Sequence, residues 1–192
     1  MINMLDPSIN YIVSGLERSG TSMLMQMLAN ANIPVSADTK RPADENNPKG
    51  YYELEGGKII NKLMDGSFDF DAYKGKFIKI TCYGLKYLAT GSYKIIYSER
   101  NIEEILDSME KMAQITDEDR KETKEIFLKL NTMIKQKIID RKDCDTLFVN
   151  YNKILEQPIN EIERIKIFLN IDDLDVETMM LTIDKRLYRQ RH

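Results

Sequence analysis

The sequence contains no tryptophan, two cysteines and a single histidine, His192, its last residue. That inventory excludes a histidine general base, or a histidine-bearing zinc site, from the body of the fold. Cys82 and Cys144 are too few and too dispersed for a disulfide framework, which fits a reducing cytoplasm. Positive charge is also in short supply: 28 lysines and arginines stand against 31 aspartates and glutamates, a net charge of -3. A global basic field for nucleic acid is therefore absent, and any site for a polyanion must be made locally. No apolar run approaches membrane-spanning length, and residues 1–10 lack a basic stretch followed by an apolar one. The expectation is a soluble, cytoplasmic protein with no signal peptide and no membrane partner. What remains is a chain of 192 residues, 42% hydrophobic and 31% charged, which suits one globular domain over 1–192.

The stretch 10–27 organises the rest. Tyr11, Ile12 and Val13 suit a buried strand, Gly15 and Gly20 interrupt it, and residues 23–28 resume as helix former. Strand, glycine loop and helix in that order make an anion cradle, because loop amides converge with the unsatisfied N–H groups of the first helical turn and the helix dipole adds to them. Gly15, four residues, then Gly20-Thr21-Ser22 has the spacing of a Walker A loop, but Thr21 stands where that loop has its lysine. Such a loop should bind a phosphate-like group and draw its charge from elsewhere, most simply from Arg18, with the hydroxyls of Ser19, Thr21 and Ser22 at hand.

Further along, the pattern predicts a helix over 21–32, a polar, turn-rich loop over 36–50 and a helix over 55–64. Strands follow at 77–81, 93–98 and 146–150. Loops as long as 36–50 within a compact domain are usually functional. Asn101 is placed to cap an amphipathic helix carrying Ile102, Ile105, Leu106, Met109 and Met112. A long charged helix over 117–139 should bury Ile126, Leu130, Met133, Ile134 and Ile138, and Pro158 should open another running through Leu169. The aspartates of 65–71 lack the glycine and terminal glutamate of a calcium loop, so they read as solvated surface and no metal is expected. Strands alternating with helices imply an α/β protein: three layers, α/β/α, around a central, mainly parallel sheet of P-loop NTPase-like kind. Arg100 falls at the carboxyl end of the third strand and Ser108 two turns into the next helix, where open α/β sheets place ligands. Taken alone, such an arginine is most often a surface residue.

These stretches resemble the PAPS-dependent sulfotransferases, in particular their bacterial branch. Arg18-Ser19-Gly20-Thr21-Ser22 is similar to the family's 5′-phosphosulfate loop, with Glu17 as a departure from the usual uncharged residue. Arg100 followed eight positions later by Ser108 resembles its 3′-phosphate site. Tyr151, in Asn150-Tyr151-Asn152-Lys153-Ile154-Leu155, looks like the tyrosine placed against adenine, although Asn152 replaces an acidic residue. Lys79, in Ile78-Lys79-Ile80-Thr81, matches the lysine of a Lys-Thr-His strand, with Thr81 where the histidine base would be. The resemblance therefore implies a glutamate base. Glu53, in Asn47-Pro48-Lys49-Gly50-Tyr51-Tyr52-Glu53, looks like the Asn-Pro-(Lys/Arg)-Gly-Tyr-Tyr-Glu segment of bacterial relatives, and Glu17 is the reserve. The tail Leu187-Tyr188-Arg189-Gln190-Arg191 is similar to a basic tail of those relatives.

The resemblance implies transfer of a sulfuryl group from PAPS to a hydroxyl or amine of a small-molecule or glycan acceptor, with PAP as product and no metal. Glu53, Arg18 and Lys79 would carry the chemistry. Gly15, Arg18, Ser19, Gly20, Thr21, Ser22, Arg100, Ser108 and Tyr151 would bind the nucleotide. Two other readings of the same residues stay open: a P-loop kinase of a small metabolite, against which the missing lysine speaks, and a non-catalytic module that binds PAP or another nucleotide.

Overall fold

The computed structural model describes residues 5–184. Four strands, β1 (Asn10–Gly15), β2 (Phe77–Lys79), β3 (Tyr93–Glu99) and β4 (Cys144–Asn150), form a sheet in the order β2-β1-β3-β4 with every pairing parallel. All six residues of β1 are buried, as a central strand covered on both faces requires. Its register sets Ile12 opposite Ile78 on one side and Ile95 on the other, and ends with Gly15 beside Ser98.

Side-chain alternation along β1 sends Tyr11 and Val13 to one core and Ile12 to the other. The first core is closed by α1 (Thr21–Asn30), α5 (Tyr151–Glu156), α6 (Pro158–Leu169) and α7 (Val176–Thr182). The second lies under α2 (Ile59–Met64), α3 (Ile102–Ala113) and α4 (Arg120–Asp140), with a 3-10 segment at Cys82–Tyr87. Three layers result, as the alternating strand and helix pattern implies. Asn101 caps α3 by accepting from the Glu103 amide at 2.9 Å, and Pro158 opens α6.

Several elements differ from the sequence reading. The helix expected over 55–64 is split into a 3-10 turn, Glu55–Gly57, and the short α2, because Gly56 (φ 61°) and Gly57 (φ 88°) take left-handed backbone that no α-helix contains. On α4 the buried stripe runs through Phe127, Leu130, Ile134 and Ile138, and the expected Ile126 and Met133 face solvent. The helices α5 and α7 are too short to give a periodic signal. At the amino ends of β3 and β4 a polar clasp joins the two connections: Arg141 donates to the carbonyls of Leu88 (2.7 Å) and Ala89 (2.6 Å) and pairs with Asp143, which accepts from the Gly91 amide at 3.0 Å.

Candidate functional site

At the opposite, carboxyl rim of the sheet, β1 is the point from which the chain turns to β2 on one side and to β3 on the other. Open α/β sheets form their crevice beside such a switch. The glycine loop sits there. A Cβ on Gly15 would fall 2.5 Å from Ser19 Oγ and 2.6 Å from the Ser98 carbonyl, so only glycine lets the loop fold back on β3. Arg18 (φ 65°) and Gly20 (φ 100°) are left-handed, and the Ser98 hydroxyl donates to the Ser19 carbonyl at 2.6 Å. No side chain caps α1. Its first intrahelical bond is Leu24 N–H to the Gly20 carbonyl, at 3.2 Å, so the amides of Thr21, Ser22 and Met23 precede the helical ladder. Ser19 Oγ is buried in this loop without a hydrogen-bond partner.

Beyond β3, Arg100 is nearly buried. Its Nε pairs with Glu104 at 2.8 Å, its Nη1 donates to the Arg18 carbonyl at 3.0 Å, and its guanidinium lies 4.6 Å from the Tyr151 ring centroid. Ser108 accepts from Arg18 Nε at 2.9 Å, so the loop arginine bridges the two expected ends of the site. Tyr151, at the start of α5, packs against the loop: a Cβ on Gly20 would meet its ring at 2.2 Å. Burial pushes its phenol up. Asn152 donates to Glu104 at 2.9 Å. The amide at 152 follows from this contact, since a carboxylate there would face another carboxylate that is 1% exposed.

On the β2 side Lys79 is 7% exposed. It pairs with Glu53 Oε1 at 3.0 Å and donates to the Tyr51 carbonyl (2.7 Å) and Ser22 Oγ (3.2 Å). Burial pulls its ammonium down from the usual lysine range, and the Glu53 carboxylate opposes that shift. Glu53, 12% exposed, is also held by Arg41, whose Nη1 lies 3.0 Å from Oε2 and 3.2 Å from Oε1. The Arg41 guanidinium stacks 3.6 Å from the centroid of Tyr51, and the Tyr51 hydroxyl donates to Asp44 at 2.9 Å. A Cβ on Gly57 would lie 2.7 Å from Glu53 Oε2, so the broken start of α2 is what admits this carboxylate.

These groups share one cavity of about 330 Å³. Gly15, Arg18, Gly20, Thr21, Ser22, Glu53, Lys79, Arg100, Ser108 and Tyr151 all line it. Ser19 lies buried beneath, and the exposed Glu17 is on the rim. Among the described residues, seven lysines and arginines line the cavity against three carboxylates, Glu17, Glu53 and Asp184. No cluster of three metal-ligating side chains occurs among the described residues, and no described helix is long and apolar enough to cross a membrane. The tail 187–191 lies outside the described residues. Sequence reading marked the 36–50 loop as functional but did not single out Arg41, whose pairing with Glu53 depends on how that loop folds.

Glycine loop, parallel sheet and crevice together define an open α/β fold with a ligand cleft at the carboxyl rim of its sheet. No family model matches the sequence, and no curated protein matches it either. Solved structures do. The chain is similar to the sulfotransferase STF1 of Mycobacterium tuberculosis H37Rv at a TM-score of 0.60 and 15% identity, over 96% of this chain and 74% of that one. It is similar to the mouse sulfotransferase SULT7A1, solved in complex with PAP, at a TM-score of 0.57 and 15% identity, over 97% of this chain and 68% of that one. Retinol dehydratase, also solved with PAP, aligns over 93% of this chain at a TM-score of 0.48 and 16% identity; this chain spans only 64% of its length. The fold shared with STF1 and SULT7A1 is that of sulfotransferases.

Proposed function

We propose that this cavity binds PAPS and that the chain transfers its sulfuryl group to a hydroxyl or amine of a small-molecule or glycan acceptor. The observation that carries this reading is a charge distribution: a chain of net charge -3 gathers seven cations on one cavity, across which Arg18 links the glycine loop to Ser108 of α3. A ligand with anionic groups at both ends fits that pattern better than one with a single anion. The loop also passes a test of fit, with uncapped α1 amides, an unpartnered Ser19 hydroxyl and no room for a side chain at Gly15.

In this reading loop 15–22 holds the 5′ end through its amides and Arg18, Arg100 and Ser108 take the 3′-phosphate, and the Tyr151 ring lies along the base. When bound, the nucleotide supplies the sulfuryl group: the bond from sulfur to the acceptor oxygen or nitrogen forms as that to the 5′-phosphate breaks, and PAP leaves with the electron pair. Arg18 and Lys79 stabilise the negative charge that gathers on the departing oxygen. Glu53 takes the acceptor proton, a position for which its place in the wall beside Lys79 is suited. Work of this kind is positioning and electrostatics.

The test is thermal melting of the purified chain with PAP, AMP and ATP at equal concentrations. A ligand at 100 times its Kd stabilises the folded state by about 2.7 kcal/mol, so PAP should raise the Tm far more than AMP. Equal responses to PAP and AMP would remove the Arg100 and Ser108 assignment, and magnesium-dependent phosphoryl transfer from ATP would favour a kinase. With PAP binding established, labelled PAPS incubated with a metabolite panel identifies the acceptor.

A further inference from the structure

Two cations converge on Glu53, Lys79 from the end of β2 and Arg41 from loop 36–50, while Arg18 of the glycine loop lines the same cavity with its Nε on Ser108. Burial disfavours the charged form of both Lys79 and Arg18, and Arg41 nearby adds to it. One carboxylate, Glu53, is shared between Lys79 and Arg41. Cations gathered along one cavity wall favour an anion beside them.

The two partners of Glu53 differ in freedom. Lys79 is buried and fixed by the Tyr51 carbonyl and Ser22 Oγ. Arg41 is 37% exposed, belongs to an irregular loop, and lies over the Tyr51 ring. A guanidinium stacked on a ring can slide along it and keep most of that attraction. Meanwhile Glu53 Oε1 receives both Lys79 and Arg41, and Oε2 receives Arg41. Arg41 thus spans both oxygens, and its departure would leave Oε2 without the cation that holds it.

We propose that Arg41 is the residue that reads the sulfuryl group: it exchanges Glu53 for the sulfuryl oxygens of the donor, and that exchange uncovers Glu53 for the acceptor. The inference rests on the reading of the donor as PAPS. Its consequence is that the base is offered only when a transferable group is in place. PAP, which carries no sulfuryl group, leaves Arg41 on Glu53.

Titration calorimetry of the wild-type chain, Arg41→Gln and Arg41→Lys with PAPS and with PAP, in the absence of acceptor, tests this. Arg41→Gln removes a hydrogen bond to a charged group and should weaken PAPS by about tenfold or more while leaving PAP within about twofold. Arg41→Lys, which keeps the charge, should lose less PAPS affinity and repeats the comparison should the glutamine variant fold poorly. Equal losses for the two ligands, or none for either, overturn the proposal while leaving the donor assignment intact. A wild-type chain that binds neither ligand overturns the donor assignment and this inference with it.

Discussion

Replacing Gly20 by alanine adds one methyl group at the point where the glycine loop meets Tyr151. Two separable costs follow. The backbone there has φ 100°, which an L-residue adopts at a cost of about 1–2 kcal/mol. The new Cβ would also stand 2.2 Å from Tyr151 Cδ2 and 2.8 Å from Cε2, so the ring, packed against the Arg100 guanidinium, must shift; overpacking of this kind costs about 1–3 kcal/mol. The sum is about 2–5 kcal/mol. Gly66 supplies the control, because it has φ 75° and a Cβ there would meet nothing within 4 Å. Gly66→Ala should lose the backbone part alone, and the unfolded-state gain from losing a glycine is common to both variants and cancels in the comparison. Urea unfolding of the two proteins should therefore place Gly20→Ala below Gly66→Ala by about 1–3 kcal/mol, with the Tm lower by about 2–4 °C for each kcal/mol in a chain of this size. Truncating the ring with Tyr151→Ala in the Gly20→Ala background should recover the difference as a coupling energy. Equal destabilisation by the two glycine replacements would show that Tyr151 does not press on the loop, and would remove it from the proposed nucleotide site.

Three further outcomes are expected. Glu104→Ala removes the carboxylate that pairs with the nearly buried Arg100 and should destabilise the chain by about 3–5 kcal/mol; a loss under about 1 kcal/mol in urea unfolding would mean that Arg100 has an equivalent second partner. Glu53→Gln should leave PAP binding in place and abolish sulfuryl transfer, and transfer at the wild-type rate would move the base elsewhere. Lys40 and Lys62 pull the Glu55 carboxyl down from 4.5 to about 2. The folded pKa lies below the unfolded one, so this contribution is fully present above pH 4.5 and disappears as pH falls towards 2. Glu55→Gln should flatten the acid arm of the stability profile in that window; a profile unchanged from the wild type would show that the pair contributes nothing.

The parts legible in the sequence are those fixed locally. Gly15 and Gly20 mark the loop because their backbone angles and close contacts exclude side chains, and β1 is recognisable from a short buried run with no competing period. Arg100, Ser108 and Tyr151 were brought to the site by family resemblance; the structure sets all three on the one cavity. Arg41 could not be found that way. Its position follows from long-range bonds that fold loop 36–50 over the β2 edge, Ser36 N–H to the Phe77 carbonyl and Asp38 N–H to the Glu53 carbonyl, each at 2.8 Å. On α4, Ile126 and Met133 form one apolar stripe and Phe127, Ile134 and Ile138 its neighbour. Helical spacing alone cannot decide which of two adjacent stripes meets the sheet.

An all-parallel sheet divides the molecule into a chemical rim and a mechanical one. The Arg141 clasp belongs to the second: it binds the entries of β3 and β4 together at the far end of the strands from Gly15, Lys79 and Glu99. Reinforcement, surface immobilisation or a reporter fusion placed on that side can alter rigidity and handling without touching a ligand-facing atom. The same intervention at the other rim would meet the glycine loop and the cavity it lines.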